Sequence, residues 1–374
     1  MDNLFYFILV AVIAFAFTAI SIPQIVRIAR VKDLLDKPDS RRAAKNIVPT
    51  LGGIAIFIGL TLGITLGGDG FPFFDLKFIF ASLLVTFFAG IKDDLVGISP
   101  IAKITALTFS IVILTFFAKL RITHMYGMFG IDEIGILPST LLTFFLGIVV
   151  INSINLIDGI DGLAAAITIE ISTVLGIWFS LIGLPEYALM SFSLAGSCLA
   201  FFIFNVFAHN NKIFMGDTGS LILGTMLFVL AVKFNEFNHT YTGDFAIKSV
   251  PAVLFGFFAY PLFDVMRVFV LRVFVLRRSP FMADKNHIHH RLLALGLSHL
   301  QATVAIFLTN ALFIVAALIL QLHLGVLAIA GILFFAALLL ATTLEIVTLV
   351  RKKIKPGDQH QTLLLPQLIV HALQ

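Results

Sequence analysis

Charge is scarce in this 374-residue chain, where Asp, Glu, Lys and Arg make up only 12%. A soluble globular protein carries about twice that share. With 59% hydrophobic residues alongside, the shortfall excludes a soluble fold and predicts an all-α, polytopic integral membrane protein. Cysteine is almost missing: the single Cys198 excludes an internal disulfide, and in an apolar run it is expected as a small buried hydrophobe. One Trp stands against 40 Phe, which leaves Phe, Leu, Ile and Val to face lipid. The first apolar stretch, LFYFILVAVIAFAFTAISIPQIV, has neither a basic leading segment nor a small-residue cleavage site. It is therefore expected to span and not to be removed as a signal peptide. GxxxxGK[ST] is absent as well, so a P-loop nucleotidase is not indicated. Loops are too short for an inserted soluble domain, and no long-period repeat or low-complexity linker interrupts the chain.

What is abundant is apolar length. At about 20 residues per crossing, the runs give about eleven spans. They lie near 4–26, 51–67, 76–91, 101–119, 139–154, 163–182, 188–208, 220–235, 249–272, 300–322 and 325–349. Alternating sides along this list places twenty of the 25 Lys and Arg residues in one set of connections and the tail. The other set keeps Lys77, Lys119, Arg121, Lys233 and Lys248. The positive-inside rule makes the first set cytoplasmic, with the N-terminus outside and the C-terminus inside. The expected organisation is one transmembrane catalytic domain, 1–350, and a cytoplasmic tail, 351–374.

Each of the five cytoplasmic connections carries an unusual polar stretch, and no external loop does. They are RRAAKNIVPTLGG (41–53), GIKDDLVGISP (90–100), NSINLIDGIDGLA (152–164), NNKIFMGDTGS (210–220) and MADKNHIHHRLL (282–293). Together they gather Asp93, Asp94, Asp158, Asp161 and Asp217 at helix ends facing the same water, and Asp264 at the inner end of the ninth span can join them. Clustered carboxylates raise one another's pKa or demand a cation. Oxygen ligands without nearby thiolates favour Mg²⁺ over zinc, and Mg²⁺ completes its shell with water and substrate phosphates. Lys and Arg around the cluster suit the rest of a phosphorylated substrate. The Asp-Gly steps in DGIDG and GDTGS fit sharp turns where a ligand approaches backbone N–H groups.

Taken singly, these stretches have plainer explanations. DD and GDTGS resemble helix caps, Asp264 and Arg267 suit an i, i+3 ion pair, and the basic run Arg41, Arg42, Lys45 suits anionic lipid. In HIHH, His287 and His290 would share a helix face beside His289, with Asn286 as a cap. Zinc, a surface helix and an anion-binding or proton-handling role all stay open there. Glu170, an ionisable residue inside the sixth span, is a functional suspect without a legible partner. It is the one feature favouring an ion-coupled transporter, which would otherwise need charges near the midplane and repeated halves.

The ordered set PTLGG, KDD, NxxNLIDGIDGLA, FMGDTGS and HIHHRL resembles the polyprenyl-phosphate N-acetylhexosamine-1-phosphate transferases, from about residue 20 to about residue 300. The resemblance implies an inner-membrane enzyme with a cytoplasmic active site. Such an enzyme moves a sugar 1-phosphate from a UDP-sugar to undecaprenyl phosphate, releases UMP and uses Mg²⁺, with Mn²⁺ as a substitute. It implies Asp217 and Asn155 at the metal, Asp93 and Asp94 as the paired aspartates, and His287, His289 and His290 as the histidine motif. Asp158 and Asp161 fall on the nucleotide and diphosphate pocket, as do Lys45, Thr50 and Lys103, with Arg291 closing the histidine motif on the substrate side. HIHHRL is similar to the branch that takes UDP-N-acetylglucosamine and starts surface polysaccharides or teichoic acids. The first loop departs from many relatives by carrying Ala44 where they have a histidine. The expected partners are the UDP-sugar, undecaprenyl phosphate and the bilayer, with no nucleic acid; a homodimer stays open, as does the choice of hexosamine.

Overall fold

The computed structural model describes residues 2–32, 34, 48–68, 75–275, 277 and 286–354. Lys45 and the basic run around it, and the tail from 355 onward, lie outside these residues.

All eleven expected apolar stretches are helical. In chain order the helices begin with α1 (Asp2–Val31), α2 (Gly52–Gly67), α3 (Leu76–Val96) and α4 (Pro100–Val112). After these come α5 (Ile136–Ile157), α6 (Leu163–Leu181), α7 (Pro185–Val206) and α8 (Gly216–Thr240). The series closes with α9 (Val250–Phe257), α10 (Ala259–Val270), α11 (Ile288–Ala294), α12 (His299–Leu320) and α13 (Val326–Ile354). Eight of the described helices are long and apolar enough to cross a membrane, or nine if α9 and α10, bent by 79°, count as one broken span. At 16 residues α2 is the short one. It rises about 24 Å at 1.5 Å per residue, less than a hydrocarbon core.

The sequence LILGTMLFVLAV makes α8 apolar on every side, and a helix of that kind is buried. It is the axis of the bundle: α2, α3, α5, α6, α7 and α9 all pack against it. Asp217 in its first turn and Asn235 and Asn238 near its last mark a pocket end and an opposite end.

The expectation of a purely helical chain misses a small antiparallel hairpin at the opposite end, β1 (His124–Met128) and β2 (Ile131–Glu133). Its turn uses left-handed backbone at Gly127 (φ 73°) and Gly130 (φ 76°). Two such short strands leave too little alternation to read from sequence. The hairpin is fastened to α8: the Tyr126 hydroxyl donates to the Asn235 carbonyl (2.7 Å) and Asn235 Nδ2 donates to the His124 carbonyl (3.1 Å). Asn238 Nδ2 reaches the Tyr126 hydroxyl at 3.1 Å.

Candidate active site

The pocket end is assembled around the first turn of α8. A helix start leaves four backbone N–H groups without partners, and here the N-cap residue, Met215, offers no side-chain acceptor. Asp94, at the end of α3, supplies it from another helix. Its Oδ1 accepts the Asp217 N–H (2.7 Å), and its Oδ2 accepts both the Thr218 N–H (3.0 Å) and the Thr218 hydroxyl (2.5 Å). Burial raises the Asp94 carboxyl to about 6, against the Thr218 and Asp217 hydrogen bonds that favour its charge.

Asp93 faces the other way. Its Oδ1 accepts the Ile98 N–H at 2.9 Å and its Oδ2 lies 2.9 Å from Lys103 Nζ. Burial opposes its charge, but Lys103 and that amide outweigh it and hold Asp93 below the usual carboxylate range. The paired aspartates thus play unequal parts, since one caps α8 and the other holds a lysine in the pocket.

Lys103 Nζ is where three loops meet. Besides Asp93 it lies 2.5 Å from Asp217 Oδ1 and 3.4 Å from Asn155 Oδ1. Asn155 Nδ2 donates to Asp217 Oδ1 (2.5 Å) and to Ser220 Oγ (2.8 Å). Oxygens from α3, the end of α5 and the start of α8 therefore converge on one cationic point. That donor set, all oxygen and doubly charged, fits a hard divalent ion in place of the ammonium. Asp217 and Asn155 are the residues that would hold it.

The first loop joins through its backbone. Phe214 N–H donates to the Pro49 carbonyl (2.8 Å), Gly52 N–H to Phe214 (2.9 Å) and Gly53 N–H to Met215 (2.9 Å). This seam leaves no room for side chains. A Cβ on Gly53 would lie 2.1 Å from the Gly219 nitrogen, and one on Gly216 (φ 71°) would lie 2.1 Å from the Thr50 carbonyl oxygen. Gly53→Ala is expected to unseat the seam and lower folded yield and melting temperature in detergent by more than a typical surface substitution, since overpacking of backbone costs about 1–3 kcal/mol. Thr50 is partly buried beside Gly216.

In the third loop, Asp161 pairs with Lys212 Nζ (2.6 Å) and His299 Nδ1 (3.3 Å). Burial would raise its pKa, but His299 and Lys212 together bring it below the ordinary value. Asn205 ties this loop to the fourth, accepting the Gly162 N–H (2.6 Å) and donating to the Ile213 carbonyl (2.8 Å). Asp158 has the opposite surroundings. Loss of water around it, with repulsion from Asp217, Asp94 and Asp161, raises its carboxyl to about 8. A raised carboxyl contributes stability that is present below its unfolded value near 4 and lost as pH climbs towards 8. Asp158→Asn should therefore melt above the parent protein in ligand-free samples, by a margin that grows from pH 5 to pH 8.5; a pH-independent margin would count against this environment.

The histidine stretch sits over the third loop. His289 Nε2 would lie 2.3 Å from a Cβ on Gly159. Burial, with His290 adjacent, lowers the His289 pKa to about 3, so its ring is neutral at physiological pH. The rings of His287 and His289 stack at 5.6 Å and those of His289 and His290 lie 4.3 Å apart. His287 Nδ1 meets Asp264 Oδ2 at 2.8 Å. Among the described residues no group of three His, Cys, Asp or Glu is placed to hold a metal, at the histidine stretch or at the carboxylates. His287, not Asn286, is the N-cap of α11: Asp264 draws its ring inward and accepts the Ile288 N–H (2.9 Å), fixing the chain in extended form one residue later than expected. Asp264 belongs to this anchor and not to the carboxylate cluster. Arg291 is buried and reaches Glu345 (3.3 Å) on α13 and Asn286 Oδ1 (3.1 Å), so it ties α11 to the last helix.

His299 and Asn205 lie outside the expected set. Ser298-x-x-Gln301 forms a capping box, and that pattern could have placed His299 at a helix start on the pocket side. Asn205 gives no such signal, because a lone polar residue near a helix end is ordinary.

Residues 76–235 match the family described as Glycosyl transferase family 4. Over 328 residues the chain is 31% identical to a protein of Bacillus subtilis (strain 168) named "Probable undecaprenyl-phosphate N-acetylglucosaminyl 1-phosphate transferase", covering 84% of this chain and 85% of that one. It is 29% identical to "Undecaprenyl-phosphate alpha-N-acetylglucosaminyl 1-phosphate transferase" of Escherichia coli (strain K12), over 80% of this chain and 79% of the relative. The protein of the same name from Salmonella typhi is 30% identical over the same shares.

Proposed function

The chain belongs to the polyprenyl-phosphate N-acetylhexosamine-1-phosphate transferase family, and from that premise we propose that it transfers GlcNAc-1-phosphate from UDP-GlcNAc to undecaprenyl phosphate, releasing UMP. The reaction is the first membrane step of a cell-surface polysaccharide, at the cytoplasmic face of an inner-membrane protein with about eleven crossings and an external N-terminus. The observation that carries it is the oxygen set of Asp93, Asn155 and Asp217 around one cationic point, built from three separate connections.

Two anionic phosphates must meet, so neutralising charge comes first. Asp217 and Asn155 would hold Mg²⁺, which when bound would supply that neutralisation and stabilise the spreading phosphoryl charge. The oxygen of undecaprenyl phosphate forms a bond to the β-phosphorus of UDP-GlcNAc as the bond to the UMP oxygen breaks. A phosphate monoester has a second pKa of about 6, so the attacking oxygen is already largely deprotonated and needs no strong base. Asp93 orients Lys103 within the cluster, and Lys103 offers its ammonium to phosphate oxygens. Asp94 fixes the α8 turn that presents Asp217. Lys212 and His299 hold Asp161 at the pocket wall, while Asp158 and neutral His289 face the nucleotide sugar. The lipid tail stays in the bilayer and the nucleotide in water, which suits a cluster at the membrane surface.

Membranes containing the protein, given UDP-GlcNAc, undecaprenyl phosphate and Mg²⁺, should release UMP, and chelation should stop the release. One diphosphate is broken and one formed, so excess UMP should drive exchange of labelled UMP into UDP-GlcNAc. No release with UDP-GlcNAc, but release with another UDP-N-acetylhexosamine, would reassign the sugar; no exchange at all would sink the direct displacement.

A further inference from the structure

Two turns into α6, a polar node lies within the apolar bundle. Glu170 on α6 is 7% exposed and Asn310 on α12 is fully buried. Intramembrane polar groups of this kind are costly and call for a purpose. Asn310 spends all its hydrogen-bonding groups in one place. Its Nδ2 donates to Glu170 Oε2 (3.1 Å) and to the Phe257 carbonyl (3.1 Å), and its Oδ1 accepts the Tyr260 N–H (3.1 Å).

Those two backbone groups sit at the 79° bend between α9 and α10. The cause of the bend is in the sequence. In an unbroken helix the Phe257 carbonyl would accept from residue 261, but that residue is Pro261, which has no N–H and whose ring clashes with the carbonyl four residues earlier. The break orphans the Phe257 carbonyl and the Tyr260 N–H inside a medium without water, where each would cost several kcal/mol. Asn310 satisfies both, and Glu170 holds Asn310 in place from the other side.

The direction of α10 after the bend matters to the pocket. The Tyr260 hydroxyl lies 3.4 Å from His289 Nδ1. One turn on, Asp264 holds His287 (2.8 Å) and the Ile288 N–H (2.9 Å). We propose that Glu170 and Asn310 are positioning residues: by fixing the α9–α10 bend they hold the histidine stretch over the Asp158–Gly159 turn. This deepens the transferase function proposed above and rests on it for its kinetic arm only.

Glu170→Leu and Asn310→Leu should each lower kcat for UMP release about tenfold or more, the scale of small misplacements of catalytic groups. KM for UDP-GlcNAc should rise by a smaller factor than kcat falls, because Lys103, Asp161 and Lys212 keep their places and only the histidine side of the pocket shifts. Glu170→Gln keeps an acceptor for Asn310 and should restore turnover to near the parent value. The Leu/Leu double variant should be no worse than Asn310→Leu alone, since both act through one bend. A second arm needs no activity. Spin labels on Ala294→Cys in α11 and Asn210→Cys in the fourth loop, both exposed, should give one narrow distance in the parent and in Glu170→Gln, and a broadened one in the leucine variants. If Asn310→Leu does not fold, Asn310→Ser and Glu170→Leu carry both arms. An unchanged distance in the leucine variants, or a Gln variant as impaired as the Leu one, overturns the proposal. A parent protein that releases no UMP would instead overturn the transferase function, and the label distances would still decide the bend.

Discussion

Asp217→Asn should abolish magnesium-dependent UMP release, with turnover falling about a thousandfold, the upper range for losing one electrostatic stabiliser. The expectation follows from what surrounds this carboxylate. Its Oδ1 receives Lys103 at 2.5 Å and Asn155 at 2.5 Å. The amide can still accept from one of them, so the chain should fold and melt close to the parent. What is lost is the negative charge on which a divalent ion depends. UMP release across a Mg²⁺ titration, with melting measured on the same samples, checks both parts. Turnover above a tenth of the parent value at saturating Mg²⁺ would remove Asp217 from the metal.

Asp94→Ala and Asp93→Asn should fail in different ways. Asp94→Ala strips three hydrogen bonds from the start of α8. Hydrogen bonds to a charged acceptor are worth about 1.5–3 kcal/mol each, and a helix cap about 1. The variant should therefore lose stability by about 2–3 kcal/mol or more, and activity with it, as the turn bearing Asp217 loosens. Asp94→Asn, which keeps one acceptor oxygen, should fall between. Asp93→Asn should melt like the parent, since its partners are one amide and a lysine that Asp217 still holds, yet turn over about a hundredfold more slowly as the charge around Lys103 drops. Thermal melts and UMP release on the three variants separate the two roles, and an Asp94→Ala protein as stable as the parent would remove the capping role.

Much of this is legible in the sequence because a membrane writes its constraints in long apolar runs. Every expected run is a helix, and the loops 48–53, 93–103, 155–162, 212–217 and 287–290 meet at one end. The bias of odd polar residues towards one set of connections is enough to gather Asp93, Asp94, Asn155 and Asp217. What the residue letters do not carry is the division of labour. Two adjacent aspartates point along different directions of α3, and only the packing of α3 on α8 makes one of them a cap. Sequence places Arg291 on the substrate side and Asp264 near the cluster; the fold adds Glu345 on α13 as a partner of Arg291, and His287 and the Ile288 N–H as partners of Asp264. Glu170 looks alone in the sequence because its partner, Asn310, is 140 residues away and itself bonds the backbone at the bend between α9 and α10. The hairpin escapes because two strands this short leave no room for a period to emerge.

The central helix has one consequence for how this protein can vary. From Asp217 at its first turn to Asn235 and Asn238 near its last, α8 is clasped at both tips, by Asp94 on one side and by Tyr126 on the other. Deleting a single residue between the clasps would draw the tips about 1.5 Å closer and screw one against the other by about 100°, so that one clasp must open. The spacing of the two clasps sets the length of this rod.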